Sequence, residues 1–411
     1  MKTALLRLAH TLAIAALVAG CNSTTVRTTQ QSTLAEPAGA VPEGMLMDVG
    51  INIFDPGVDG LADPEAEHVY PEIRRAEARY IPENLSRTLQ QTGNWGVVRV
   101  IPDRRSEMDV WVDGTILQSD GLILKLQVTV HDASGRKWFT RTYEEEASKY
   151  AYDKELSRSI EPFQGLYNRI ANDMAAWRSQ VSPEEVARIR TINELRFAER
   201  FAPEAFSGYL SVDGKGRYQV VRLPAEGDPL MERIRRIRER DNLFVDTLQD
   251  HYGNFSKQMK EPYLQWRQES YTEIQALRQA ERESVGSMIG GGLLFAAGIA
   301  GLILGGSSDS TAGQVLGGAG GAVATMAGAS IFKEGYDKRS EVRLHAEALR
   351  EIAASLDADI TPHKVELEDR TVTLTGSVDQ QYAQWRSLLR DIYLTETGDV
   401  VTDDVAVPVA D

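Results

Sequence analysis

Hydrophobic and polar positions along residues 46–178 switch between a two-residue and a 3.6-residue period, which separates strands from helices. Met47–Phe54 alternates and stops at the turn signal Asp55-Pro56-Gly57. Residues 71–92 carry helical spacing, with a break expected at Pro82. Trp95–Ile101, Asp109–Gln118, Leu122–His131 and Lys137–Tyr143 read as strands, the last three joined at Asp120-Gly121 and Asp132–Gly135. Phe163, Leu166, Ile170, Met174 and Trp177 then fall on one face of a helix over 162–178. The order β-α-β-β-β-β-α describes an α/β sandwich domain over residues 44–180.

Beyond it the pattern becomes helical over 181–284. Ser182-Pro183-Glu184-Glu185 combines an N-cap, a proline at the first helical position and acids on the dipole, so a helix should run to about Phe201. Gly208–Leu223 reads as a small hairpin around Asp213–Gly216. Residues 228–284 alternate charges and carry Phe244, Leu248, Tyr252, Phe255 and Met259 at three- to four-residue steps. Pro262 is expected to kink or restart this helix, and Tyr263, Trp266, Tyr271, Ile274 and Leu277 continue the stripe. Such a stripe serves either helix packing or a ligand groove.

Residues 285–332 differ in kind, since Asp309 is their only charge. Two apolar runs, Met288–Leu304 and Val315–Phe332, flank a polar turn at 307–311. At 1.5 Å per residue each run spans about 26 Å, close to a hydrocarbon core. Glycine recurs four residues apart at Gly286/Gly290, Gly301/Gly305 and Gly313/Gly317/Gly321. Each helical glycine costs about 1 kcal/mol against alanine in water, whereas in lipid small residues let helix backbones meet. The segment resembles the glycine-zipper hairpins of envelope lipoproteins, which implies a membrane hairpin with those glycines at the helix contact. A buried soluble hairpin and a glycine-rich linker are the alternatives. Residues 333–357 then read as a charged helix. Residues 358–411 form a small α/β unit: strands around Val365/Leu367 and Val372/Leu374, Gly376, a helix through Tyr382, Trp385, Leu388, Leu389 and Ile392, and a last strand at Asp404–Val409. The fold class is thus α+β.

The N-terminus sets the compartment. Lys2 and Arg7 precede an apolar run, Leu12–Val18, and then Val18-Ala19-Gly20-Cys21. This is the layout of an exported protein's signal peptide, too short for a membrane span. A cysteine at the cleavage point resembles the lipobox of bacterial lipoproteins. The resemblance implies removal of residues 1–20, fatty acylation of Cys21 (palmitate among the acyl groups) and, with Asn22 following, an outer-membrane address facing the periplasm. Residues 21–43 are rich in Ser, Thr, Gln, Pro and Ala, and read as a lipidated flexible tether.

The net charge of −15 argues against nucleic acid, which needs a basic face. With a single cysteine no intrachain disulfide or cysteine-built zinc site can form. The six His are scattered, and no HExxH, GxSxG or P-loop spacing occurs. No catalytic residue, metal ligand or cofactor is therefore expected. The acidic run Glu144-Glu145-Glu146 reads as a solvated face or as a docking patch for a basic partner.

Two further resemblances bear on fold. Phe54-Asp55-Pro56 and Asp109-Val110-Trp111-Val112-Asp113-Gly114 resemble the Phe-Asp-Pro strand end and Asp-Val-x-Val-x-Gly strand of the fold shared by the curli-secretion lipoprotein, the lipoprotein activators of penicillin-binding proteins and the N-terminal domain of the Tol translocation protein. The curli channel's long hairpin insertions have no counterpart here. Residues 360–411 are similar to the envelope-associated BON unit. These likenesses imply a scaffold, while function resides in sites. The expectation is a non-enzymatic, lipid-anchored envelope lipoprotein acting as periplasmic adaptor or assembly factor. Its partners would be membrane lipid, an envelope protein and a second copy of itself. The alternative is an oligomeric subunit of a secretion or translocation channel.

Overall fold

A computed structural model of the chain describes residues 24–28, 32–35, 39, 41–59, 69–102, 107–148, 150–152, 161–290, 351, 362–366 and 371–397. Helices and a mixed sheet together make the fold α+β. The sheet has six strands in the order β1-β6-β5-β4-β2-β3. They are β1 (Thr24–Thr28), β2 (Val49–Asn52), β3 (Val98–Ile101), β4 (Val110–Ser119), β5 (Ile123–Asp132) and β6 (Lys137–Glu146). β4, β5 and β6 form an antiparallel meander through tight turns, while β2 and β3 lie parallel to β4 on one side. Parallel neighbours need a crossover, and α1 (Pro71–Gln91) supplies it between β2 and β3.

Pro82 sits inside α1 without breaking it, contrary to expectation. A helix proline removes one N–H, so the carbonyl four residues back loses its partner. That carbonyl, Ala78 O, accepts the Phe54 N–H at 2.9 Å. The chain leaving β2 thus fills the vacancy and ties α1 to the sheet. Pro262 likewise lies within one uninterrupted helix.

The meander is followed by α2 (Gln164–Arg178), α3 (Pro183–Phe201), the short α4 (Pro203–Phe206) and a hairpin of β7 (Leu210–Val212) and β8 (Tyr218–Val220). α3 starts on a capping box: the Glu185 N–H donates to Ser182 Oγ, and the Ser182 N–H donates to the Glu185 carboxylate. The long α5 (Pro229–Gly290) comes next. A two-stranded sheet, β9 (His363–Glu366) with β10 (Thr371–Leu374), and α6 (Val378–Thr397) close the described chain.

Two cores sandwich the sheet. One joins α1 and α2 to residues such as Val49, Val112, Leu126 and Val128. The other joins Val100, Met108 and Trp111 to Phe197 and Phe201 of α3, Ile234, Phe244 and Leu248 of α5, and Tyr382 and Leu389 of α6. The stretches 44–180, 181–284 and 358–411 therefore share a core, because a two-sided sheet needs cover on its second face.

The tether expectation is corrected over part of its length. Thr24–Thr28 pairs in parallel with β6, from Thr24 beside Arg141 to Thr28 beside Glu145. Asn168 and Asn172 of α2 donate to Ser32 O at 2.8 Å and Thr33 O at 2.9 Å, and Asn172 Oδ1 accepts the Ala35 N–H. A segment poor in apolar residues is held here by hydrogen bonds, which hydrophobic patterning does not register.

Candidate functional site

Cys21 lies outside the described residues, as do Gly301, Gly305, Gly313, Gly317 and Gly321, the charged helix at 333–357 except residue 351, and the last strand at 404–409. Gly286 and Gly290 fall in the final turns of α5. What can be described is the body's grip on the helix that leads into the glycine-rich run. That grip is the candidate site.

The first contact lies at the β4–β5 turn. Asp120 Oδ1 accepts the Leu122 and Ile123 N–H groups at 3.0 and 2.7 Å, which folds the turn tightly and puts Gly121 at φ +77°. A β-carbon on Gly121 would lie 2.3 Å from Arg267 O, so α5 crosses here backbone against backbone. Ser270 Oγ donates to Asp120 O at 2.7 Å.

Below the turn a polar network is buried between α1 and α5. Ser119 Oγ and the Tyr263 hydroxyl both donate to Glu77 Oε1, at 2.6 and 2.5 Å. The second Glu77 oxygen is 3.7 Å from Arg74 Nε. Burial pushes the Glu77 carboxyl above its usual range, against the pull of Arg74 and these two donors. Arg267, 1 % exposed, forks onto the Glu161 carboxylate, with the longer bond at 3.1 Å. Its guanidinium also lies 4.1 Å from the centre of the Tyr263 ring, and the Tyr80 hydroxyl donates to Glu161 at 3.3 Å.

A second contact holds the start of α5 and the C-terminal unit. Gln249 donates to Val100 O at 2.9 Å and accepts the Val100 N–H at 2.8 Å, occupying the outer edge of β3. A free sheet edge invites another strand, and here a side-chain amide stands in for one. Arg99 forks onto Asp246 at 2.7 and 3.0 Å. Arg386 of α6 donates to Asp241 at 2.5 Å. Glu107 is fully enclosed beside Arg196, at 3.4 Å, and Arg200. Its carboxyl is raised by burial against those two cations.

The two motif fragments meet. The Asp55 N–H donates to Gly114 O, and the Ile116 N–H donates to Asp55 O. A β-carbon on Gly114 would sit 2.4 Å from the Phe54 ring, so glycine is required for Phe54 to lie across β4. The acidic run does not form one solvated face. Glu144 pairs with Lys125 at 3.1 Å, Glu145 is buried with Arg169 at 3.3 Å, and Glu146 lies 3.9 Å from Arg278. Strand alternation turns the middle carboxylate inward. The aromatic stripe of α5 packs as core, with Phe244, Leu248, Tyr252, Phe255, Met259, Tyr263 and Trp266 buried.

Glu77, Glu161 and Arg267 escaped the sequence reading because, Arg74 beside Glu77 apart, the hydrogen-bond partners that join them to other elements lie 42 to 186 residues away. One signal was present: Arg267 and Ser270 sit on the same helical face as Tyr263 and Trp266, and polar residues on an apolar stripe need buried partners. Among the described residues no group of three or more His, Cys, Asp or Glu could hold a metal ion, and no helix is long and apolar enough to cross a membrane. No family model, curated protein or solved structure matches the chain.

Proposed function

We propose that the protein is a lipid-anchored lipoprotein of the bacterial cell envelope. In this reading Cys21 is acylated, the body stands in the periplasm at the outer membrane, and the protein acts without catalysis as an adaptor or assembly factor. The observation that carries the reading is the run of α5. The helix starts in the core shared by the sheet and the C-terminal unit, and its described part reaches Gly290, inside the glycine-rich run whose only charge is Asp309. At 1.5 Å per residue its 62 residues extend about 93 Å. Among the side chains described, the last buried polar contact of the helix is near Ser270, and about 30 Å of helix separates Ser270 from Gly290. A rigid arm of this kind suits a protein that couples a folded body to a membrane. The buried carboxylates Glu77, Glu107 and Glu145 face arginines and serve cohesion, which supports an adaptor over an enzyme.

Feeding cells a fatty-acid probe tests the anchor. Label is expected on the intact protein and lost in Cys21→Ser, since two or more acyl chains at one cysteine give stable attachment. Label that persists in the serine variant overturns the reading. Carbonate washing of Cys21→Ser, with and without residues 285–332, separates the second attachment: the longer protein should stay with membranes and the shorter be released.

A further inference from the structure

Between α5 and β9 lies a groove of about 300 Å³. Phe244 and Trp385 line it as a stacked pair with ring centres 4.9 Å apart, and the His363 ring meets Phe244 edge-on at 5.2 Å. Both stacked residues are buried and belong to the core that joins α5 to α6. Leu243 lines the same groove and is 61 % exposed. A single exposed leucine is ordinary on a protein surface. This one borders a buried aromatic pair, so the groove is a point where the apolar surface of that core reaches solvent.

The charged residues of the groove carry one sign. Arg240 and Lys364 line it, and among the described residues no carboxylate does. Asp241, the residue after Arg240, is buried and taken by Arg386. Glu396 lies 3.7 Å from Arg240 but also 3.5 Å from Arg233, so one carboxylate faces two guanidiniums. The Arg240 side chain is still 49 % exposed, and Lys364 is exposed as well. On a chain of net charge −15 this is a local cationic rim around an apolar recess. The volume stands at the lower end of the range for small-ligand sites. It suits one large apolar side chain entering from a flanking backbone rather than an enclosed cofactor.

We propose that this groove is a docking site for an acidic segment of a partner protein. The segment inserts a large apolar side chain between Leu243 and the Phe244–Trp385 pair, while its carboxylates meet Arg240 and Lys364. Aromatic residues and arginine are the side chains that dominate binding at protein interfaces. The rim cations give the encounter its direction and its salt dependence, and the apolar anchor gives it lifetime. The proposal rests on the adaptor reading, for which it supplies the chemistry of the protein partner. The binding itself needs neither the acyl group nor the membrane.

Fluorescence anisotropy on the full-length Cys21→Ser chain, in an uncharged detergent, tests this with three labelled peptides: Asp-Asp-Leu-Asp-Asp, Asp-Asp-Ser-Asp-Asp and Lys-Lys-Leu-Lys-Lys. The acidic leucine peptide should bind at least about tenfold more tightly than either of the others, and added salt should weaken its binding. Arg240→Glu combined with Lys364→Glu should weaken that binding by about tenfold or more, and Leu243→Ser should weaken it several-fold. Leu117→Ser, on β4 and 46 % exposed, should leave it unchanged. No binding of the acidic leucine peptide below about 1 mM, equal binding of the leucine and serine peptides, or indifference to the charge reversals overturns the proposal. The chain used lacks Cys21, so a failure here is separate from a failure of the acylation test.

Discussion

Replacing Arg267 by leucine tests the grip on α5 at its most enclosed point. The guanidinium is 1 % exposed, forks onto Glu161 and covers the Tyr263 ring. Removing one member of a buried ion pair costs about 3–5 kcal/mol, because the remaining charge stays desolvated. Loss of the desolvated cation–π contact adds about 2 kcal/mol. Burying the leucine returns about 2 kcal/mol. The net loss is therefore about 3–5 kcal/mol, a large share of the roughly 5–15 kcal/mol that stabilises a typical protein. Urea unfolding of the purified variant should show it. In a heat scan the midpoint should fall by about 6–20 °C, taking about 2–4 °C per kcal/mol for a body of this size. The double variant Arg267→Leu with Glu161→Leu should recover at least about 1.5 kcal/mol relative to the sum of the singles. A single variant that loses less than about 1 kcal/mol, or singles that add within about 0.5 kcal/mol, would refute the claim that this pair fastens the helix.

Two further outcomes follow from other contacts. Gly114→Val should cost about 2–3 kcal/mol by driving side-chain atoms into Phe54, and Phe54→Ala in the same chain should restore part of it; denaturation showing no such rescue would remove Phe54 as the cause. Burial raises the Glu145 carboxyl to about 7, against the opposing pull of Arg169. Because the folded state holds this proton more tightly than the unfolded one, its stabilising contribution is full below about pH 4.5 and fades as pH rises through 7. Between pH 5 and 8 the natural protein should lose on the order of 3 kcal/mol more than Glu145→Gln. Parallel stability profiles for the two proteins would show that Glu145 titrates normally.

The strand order of the meander was legible because turn chemistry and alternation agree there: Asp120-Gly121 and Asp132–Gly135 bracket β5, whose inward residues are Leu124, Leu126, Val128 and Val130. The capping box at Ser182 was legible for the same local reason. Three features were not. Pro82 remains inside α1 because Phe54, twenty-eight positions earlier, supplies the hydrogen bond the proline removed, and no window around residue 82 contains that information. β1 has a single apolar residue among its five, so nothing in its pattern distinguishes a strand from a tether. The inward turn of Glu145 is hidden by its acidic neighbours, since the run Glu144-Glu145-Glu146 has no period at all. The candidate site was the least legible part, because the pairs that fasten α5 to the body join segments distant in sequence.

That distance also explains why α5 needs polar contacts within an apolar seam. Aromatic and aliphatic residues recur along the helix from Phe244 to Tyr271, and a slip by one turn, about 5.4 Å, would still set large side chains against large side chains. Hydrogen-bonded pairs do not tolerate such a slip. Gln249 must face both polar groups of Val100, Asp246 must face Arg99, Tyr263 must reach Glu77, and Arg267 must meet Glu161. Displacement by a turn would leave the buried groups among them, Arg99, Glu77, Tyr263 and Arg267, without these partners, each costing about 1–3 kcal/mol and more for the charges. The apolar stripe therefore supplies cohesion while the polar pairs select a single register. A single register holds the described end of the helix, Gly290, at one height above the sheet. In the proposed reading, that fixes how far from the body the apolar segment meets its membrane.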